Sequence, residues 1–245
     1  MVSYTKKQER RFAMIDFHSH ILPQIDDGAQ SVEESIEMLK MLKNQGVNTV
    51  CLTPHYIAMD ESPKEFLERR DEAFKALKEA IESCDEELPK LLLGAEVYYY
   101  PGICRMEEID TLKLENTELL LLEMPMAPWS EYTIREILDL INSSNTKVVI
   151  AHIERAMGYQ KRGTVERLID SGVLMQTNAS FFNMRKTRRA AFKMFNSGLI
   201  HFLGSDCHSV KHRPPRIEEA VSAIKDKFSQ DAVDEFFEEQ KDYFE

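Results

Sequence analysis

Seven times along this chain a short apolar run alternates with polar connections, most of them of helical period. The runs are MIDFHSH (14–20), VNTVCLTPH (47–55), KLLLGAEVYYY (90–100), ELLLLEMPM (118–126), KVVIAHIE (147–154), VLMQTNAS (173–180) and LIHFLGSDCH (199–208). Amphipathic segments at 31–46, 63–84, about 131–143, 164–172 and around 184–197 separate most of them, and one or two helices finish the chain. Ser31 with Glu34 three residues on reads as a capping box opening the first helix, and Gly46 closes it. Near-continuous apolar strands between helices imply a parallel sheet covered on its outer face. Seven such units favour a closed barrel over an open doubly wound sheet. No G-x-G-x-x-G follows the first strand, which argues against a dinucleotide fold.

The polar residues in these runs fall at their C-terminal ends. His18 and His20 end the first, with Asp26 and Asp27 just beyond; in an extended strand both histidines project to one face, and Ile15, Phe17 and Ser19 to the other. His55 ends the second, the third carries Glu96, and the fourth ends at Glu123. The fifth ends at His152, followed by Glu154 and Arg155, and the seventh at Asp206 and His208. A parallel barrel gathers these ends on one rim, where barrel enzymes keep their chemistry. Of seven histidines in the chain, five occupy strand ends. Each alone reads as a hydrogen-bonded histidine or a solvated charge; nine ligand-type residues together read as metal ligation. Nine exceed one coordination sphere, so two or three ions with bridging carboxylates are implied. Imidazole and carboxylate without thiolate suit manganese, iron or zinc. Such ions lower the pKa of a bound water and clamp the oxygens of an in-line displacement at phosphorus.

Composition narrows the partners. The chain has 245 residues and a net charge of −11, from 31 basic and 42 acidic side chains, which disfavours nucleic acid and anionic membrane as broad-surface partners. No stretch approaches the ~20 apolar residues of a membrane span. Residues 1–13 are basic, lack an apolar signal core and read as a flexible extension before one domain spanning 14–245. Cysteines at 51, 84, 104 and 207 show no paired spacing, which suggests a reducing compartment, the cytoplasm. Three divalent ions against Asp27, Glu96, Glu123 and Asp206 would leave about +2 on the rim. Arg155 and Arg213 would add to it, with a planar fork that matches phosphate oxygens. Cys207 to Arg213, CHSVKHR, also matches the C-x5-R pattern of cysteine-dependent phosphatases. Phosphate-wrapping loops of that kind depend on glycine, and this one has none, so Cys207 reads as a packed, inert thiol.

HSH, DDG, TPH, GAEV, LLLEMP, AHIER and GSDCH, in this order, resemble the PHP (polymerase and histidinol phosphatase) metal-dependent phosphoesterases. IDFHSHILPQIDDGAQS, AHIER and SDCHSVKHRPP look most like the bacterial manganese-dependent protein-tyrosine phosphatases of capsule and exopolysaccharide operons. The resemblance implies a distorted TIM-like (β/α)7 barrel with three metal ions, most simply Mn2+, at the C-terminal strand ends. It implies one ion on His18, His20, Glu96 and Asp206, a second on Glu96, Glu123 and His152, and a third on Asp27, His55 and His208. Arg155 and Arg213 match the family's phosphate-binding arginines, and Asp27 or a metal-bound water is the implied proton donor. The implied reaction is attack of a metal-bridging hydroxide on phosphotyrosine, in the tail of a bacterial tyrosine autokinase. A small-molecule phosphatase of the histidinol-phosphate type and a weakly catalytic phosphotyrosine-binding module stay open as alternatives.

Overall fold

The computed structural model describes residues 13–143 and 145–244; the expected extension falls, but for residue 13, outside the described residues. Seven parallel strand paths curl into a distorted barrel. They are β1 (Met14–Ser19), β2 (Val47–Leu52) continued by β3 (His55–Tyr56), β4 (Lys90–Leu93) continued by β5 (Glu96–Tyr98), β6 (Leu119–Glu123), β7 (Lys147–Ile150), β8 (Leu174–Asn178) and β9 (Phe202–Gly204). β1, β2 and β4 pair in that order, and β3, β5, β6, β7, β8 and β9 in theirs. The two sheets meet where Thr53-Pro54 and Gly94-Ala95 interrupt neighbouring paths. Pro54 has no N–H to donate, but its carbonyl accepts from Glu96 N and that of Leu52 from Gly94 N, each at 2.9 Å. The ladder thus crosses the break and sets His55 beside Glu96 in register.

β9 closes against β1 over a short seam. Asp206 N donates to His18 O at 2.8 Å and His20 N to Cys207 O at 3.0 Å. One feature of β1 departs from simple alternation. Between Asp16 and Ser19 its register against β2 slips: three steps along β1 match two along β2. A bulge of this kind places two successive residues on one face. Phe17 therefore points into the barrel below His18 instead of away from it, and stacks on Phe202 with ring centroids 4.0 Å apart. The expected split between histidines on one face and Ile15 and Phe17 on the other is corrected by this slip.

The lower barrel is filled by Ile15, Phe17, Leu119, Leu121, Val149 and Phe202 among others, and Tyr243 and Phe244 pack against that cluster from the chain's end. The outer layer is helical. It comprises α1 (Val32–Asn44), α2 (Pro63–Glu82), α3 (Glu131–Ser143), α4 (Ile153–Ala156), α5 (Thr164–Asp170), α6 (Ala179–Asn183), α7 (Arg188–Asn196), α8 (Ile217–Lys227) and α9 (Gln230–Lys241). Their apolar stripes, such as Met38, Leu39 and Leu42 of α1, join the larger core outside the strands. Ser31 caps Glu34 N at 3.2 Å as its spacing predicts. The Glu34 carboxylate, however, accepts from Gln30 N at 3.0 Å and Val210 N at 3.3 Å, tying α1 to the segment after β9. The complete capping box is at Ser62 and Glu65, heading α2.

Three expected elements are shorter or divided. β7 ends at Ile150, because His152 takes a positive φ of 29° and α4 starts directly after it. The helix expected around 184–197 is preceded by α6 and begins only at Arg188, after a turn at 184–187. β9 spans three residues, and Asp206, at φ 51°, turns the chain out of it.

The end of the chain acts as a floor for the barrel. Tyr243 and Phe244 rings lie 5.4 and 6.4 Å from that of Phe202, and Lys147 Nζ sits 4.8 Å over Tyr243. Ending the chain at Asp242 is expected to lower unfolding free energy by about 2–4 kcal/mol, as for other large-to-small core changes. Calorimetry checks this; an unchanged thermal midpoint would show that the floor contributes nothing.

Candidate metal centre

Glu96, the first residue of β5, is 1% exposed and lies where four imidazoles converge. Its Oε2 is 2.9 Å from His55 Nδ1, 3.2 Å from His18 Nε2 and 3.3 Å from His20 Nε2, and Oε1 is 2.8 Å from His152 Nε2. His18 Nε2 and His20 Nε2 face each other at 3.0 Å. Glu123, at the end of β6, brings Oε1 to 3.5 Å from His152 Nε2 and Oε2 to 3.8 Å from His55 Nδ1. Asp206 Oδ1 lies 3.6 Å from both His20 Nε2 and His208 Nδ1, and 3.9 Å from His18 Nε2. Asp27, on the outer edge, is 3.4 Å from His208 Nε2 and 3.6 Å from His55 Nε2. The structure thus brings all nine residues singled out in the sequence into one cluster.

Local backbone explains how they arrive. The bulge in β1 turns His18 inward, and a side chain on Gly204 would meet His18 Cβ at 2.6 Å and Gln176 Nε2 at 2.7 Å. After His20 the chain folds back, with Ala29 N donating to His20 O at 3.0 Å. A Cβ on Gly28 would lie 2.1 Å from that same carbonyl oxygen, so only glycine fits the third place of DDG. The turn puts Asp26 Oδ2 2.8 Å from His20 Nδ1 and 3.0 Å from His55 N, while Asp27 projects outward. Asp26 fixes the imidazole so that Nε2 faces the cluster, the usual role of a carboxylate behind a metal-binding histidine.

β8 contributes no charge, yet Gln176 and Asn178 belong to the site. His152 N donates to Gln176 Oε1 at 2.7 Å, which steadies the positive φ of His152, and the same oxygen lies 3.3 Å from His18 Nδ1. Gln176 Nε2 donates to Asn178 Oδ1 at 3.0 Å, and Asn178 Nδ2 to Asp206 Oδ2 at 2.6 Å. Arg155 and Arg213 meet the same Asp206 oxygen, Arg213 Nη2 at 2.8 Å. The sequence places Asp26 beside the first strand end but not among the nine candidates, and it does not mark Gln176 or Asn178. The signal available for the last two is the same i, i+2 spacing at a strand end that marks His18 and His20.

The electrostatics follow from crowding. Burial opposes charge on Glu96, but the His18 charge, the hydrogen bond from His152 and the close approach of His18 and His20 outweigh it and hold the carboxyl well below its ordinary range. Burial likewise opposes charge on His18 and His20, yet Glu96, with Asp206 for His18 and Asp26 for His20, raises each to about 9. Asp206 is held low against its burial by the charges of His18, Arg155, His20 and Arg213. Burial and the charge of Glu96 push Glu123 up to about 6, and burial with the charge of His20 brings His208 down to about 4. Burial pushes the Cys207 thiol well above its ordinary value, which removes the thiolate that a C-x5-R nucleophile requires.

The donor set fits divalent cations. Glu96 Oε2 is buried without a hydrogen-bond partner, although three imidazole nitrogens surround it. Among the described residues, three groups of donor atoms, each lying within 4.8 Å of one another, could hold an ion: His18, His20 and Glu96; His55, Glu96 and Glu123; His20, Asp27, His55 and His208. Glu96 and His55 belong to two groups each, as does His20. This partition overlaps the one implied by resemblance without repeating it: His55 stands with Glu96 and Glu123, where His152 was expected, and His20 joins the outer group.

A family model for capsular polysaccharide synthesis, CpsB/CapC, matches residues 14–243. The tyrosine-protein phosphatase CpsB of Streptococcus agalactiae serotype V is 31% identical over 239 residues, covering 91% of this chain and 95% of that one. The tyrosine-protein phosphatase YwqE of Bacillus subtilis strain 168 is 30% identical over 223 residues, covering 88% and 85%. A crystal structure from work on YwqE of B. subtilis and CpsB of Streptococcus pneumoniae, described as metal-dependent tyrosine phosphatases, superposes with a TM-score of 0.79 at 27% identity, covering 94% of both chains. With its matching sequence, its barrel and its rim of histidines and carboxylates, this chain belongs to the CpsB/CapC family of capsular polysaccharide synthesis.

Proposed function

We propose that this chain is a metal-dependent protein-tyrosine phosphatase, loaded with three divalent ions, manganese above iron or zinc. Its proposed substrate is the phosphotyrosine tail of a bacterial tyrosine autokinase governing polysaccharide export, in the cytoplasm. One observation carries the reading: a buried carboxylate, Glu96, has an unpartnered oxygen amid imidazoles, beside two arginines that share one carboxylate. The activities named for its CpsB and YwqE relatives support the same reaction.

Glu96, His18, His20, His55, Glu123, His152, Asp27, His208 and Asp206 would hold the ions. Divalent ions in such a site activate water and neutralise charge on the transferring phosphoryl group. The chain's own residues do the rest. Arg155 and Arg213 are 37% and 42% exposed, and each uses one Nη on Asp206, leaving guanidinium N–H groups to grip phosphate oxygens. Asp206 thereby positions both arginines against the metal cluster. Asp27, 66% exposed at the outer edge, is the rim carboxyl proposed to serve the leaving tyrosine oxygen. Cys207, fully buried, takes no part.

Chelation should therefore abolish hydrolysis of a phosphotyrosine peptide and manganese should restore it, while Cys207→Ser stays active. An inactive Cys207→Ser protein with normal metal content would overturn the metal reading. Glu96→Gln keeps the shape but removes the charge that two groups share, so elemental analysis should find about one ion fewer per chain, with most activity lost. Full occupancy would show that Glu96 bridges nothing. Arg155→Ala and Arg213→Ala should each lower kcat/KM about ten- to a hundredfold, the cost of one charge-assisted contact. Metal content is measured alongside: its loss would mean the arginines serve Asp206 and not phosphate. Comparison with histidinol phosphate tests the substrate class, and faster turnover of that ester would refute the protein-phosphatase assignment.

A further inference from the structure

We propose that the segments following β7 and β8 form a docking sector for an acidic stretch of polypeptide that carries the scissile phosphotyrosine. This rests on the phosphatase reading of the site and adds what flanks its substrate.

Charge is the first observation. Between Arg155 and Lys193 the chain has nine Lys or Arg against two Asp or Glu, within a protein whose net charge is −11. Placement is the second. Lys161 and Arg162 lie in the connection that follows β7, and Arg185, Lys186 and Arg189 in the one that follows β8. β7 and β8 are paired neighbours, so both connections leave the barrel side by side on the rim that holds the metal cluster. All five side chains are exposed, and among the described residues none is ion-paired to a carboxylate. Some cations elsewhere are matched, as in Lys40 with Glu86, Lys43 with Glu87 and Lys113 with Glu118, each at 2.6 Å; what sets this sector apart is its excess of cations over carboxylates.

The sector is not only charged. Tyr159 is 51% exposed and Met184 44% exposed, each just ahead of a basic pair: Tyr159 before Lys161-Arg162, Met184 before Arg185-Lys186. Every exposed large hydrophobic residue described (Met59, Tyr98, Met126, Tyr132, Tyr159, Met184) lies at or beyond a strand's C-terminal end, on this same side of the barrel. Such a surface suits a polypeptide with apolar and acidic side chains. The acidic remainder of the protein repels a long nucleic acid, which would have to run beyond the sector. Helix α7 also opens on Arg188 and Arg189 with no acidic residue in its first turn, against the preference set by the helix dipole. A bound carboxylate there would complement both the cations and the dipole.

Exposed complementary charges mainly steer encounter and select partners, and salt weakens them. The test uses the metal-loaded full chain and two phosphotyrosine peptides of equal length, one flanked by Asp and Glu, the other by Ser and Asn, with para-nitrophenyl phosphate as a third substrate. At low salt kcat/KM should favour the acidic peptide by about tenfold, and about 0.5 M salt should erase the preference. A variant combining Lys161→Ser, Arg162→Ser, Arg185→Ser, Lys186→Ser and Arg189→Ser should lose it through KM, with the neutral peptide and para-nitrophenyl phosphate unchanged. Equal rates for both peptides in the parent, or a preference that survives in the variant, overturns the proposal. So does an oligomer or an anionic phosphatidylserine vesicle that engages the sector while the peptides are treated alike. If no phosphotyrosine is hydrolysed, the phosphatase reading falls, and fluorescence anisotropy with a labelled acidic, unphosphorylated peptide still decides the sector. Binding lost in the variant supports it; binding equal to that of a neutral peptide refutes it.

Discussion

Glu96 is a carboxylate taken out of water in the middle of a barrel, and the upper half of the protein is arranged around that fact. Removing a carboxylate from solvent costs several kcal/mol unless close partners compensate. Here four imidazoles do so, and no two of them come from the same strand path except His18 and His20. The cluster therefore demands register. His55 meets Glu96 as a direct cross-strand pair only because the breaks at Thr53-Pro54 and Gly94-Ala95 fall side by side. His18 reaches it only because β1 slips by one residue against β2. The compensation is incomplete in the protein alone, since Oε2 has no hydrogen-bond partner. Metal ions held there would complete it, so loading should contribute to the stability of the fold as well as to its chemistry.

A second chain of contacts joins this interior to the open rim. It runs from His18 through Gln176 and Asn178 to Asp206, and from Asp206 to Arg155 and Arg213. The two middle members are neutral amides, which can donate and accept at once. Charged residues at those positions would add to the desolvation cost and compete for the same ions. Strand β8 thus supplies no candidate ligand of its own and holds those at the ends of β1, β7 and β9 in one orientation. Asp206 is the junction: one oxygen faces the imidazoles and the other collects two guanidinium groups.

The seven strand paths are legible in the sequence because buried parallel strands are apolar runs without interruption, as LLLL at 119–122 and VVI at 148–150 show. The nine candidate ligands are legible because parallel topology alone puts strand ends on one rim. What the sequence hides depends on neighbours. A bulge is a property of two strands, and β1 by itself reads as plain alternation. Asp26 and Asp27 are chemically equivalent, and which of them turns toward His20 is decided by the tight approach of Gly28 to the His20 carbonyl. His152 and Asp206 take positive φ without being glycine, so no residue type announces where β7 and β9 end. Gln176 and Asn178 look like ordinary polar strand residues until His18 and Asp206 are placed beside them. Tyr243 and Phe244 give no periodic signal, being a short tail that finds the barrel floor.

The C-x5-R match at Cys207 to Arg213 is explained by the same geometry. Asp206 and His208 flank Cys207 and enter the cluster, so the residue between them turns the other way, into the seam where Ser19 bridges Cys207. A small apolar side chain fits there, and burial keeps its thiol protonated. Past His208 the chain reverses: His208 N and Ser209 N both donate to Arg213 O, at 3.0 and 3.3 Å. Ser209 Oγ accepts from His212 N and Arg213 N, each at 3.1 Å. That reversal returns the Arg213 guanidinium to Asp206, seven residues back along the chain. A cysteine-dependent phosphatase uses the spacing to wrap backbone N–H groups around phosphate. Here four of the loop's backbone N–H groups, those of His208, Ser209, His212 and Arg213, are spent on its own turn and that of Val210 on Glu34, so they do not form a wrap of donors for phosphate. The spacing of Cys and Arg is shared, but the chemistry it serves belongs to the residues on either side of the cysteine.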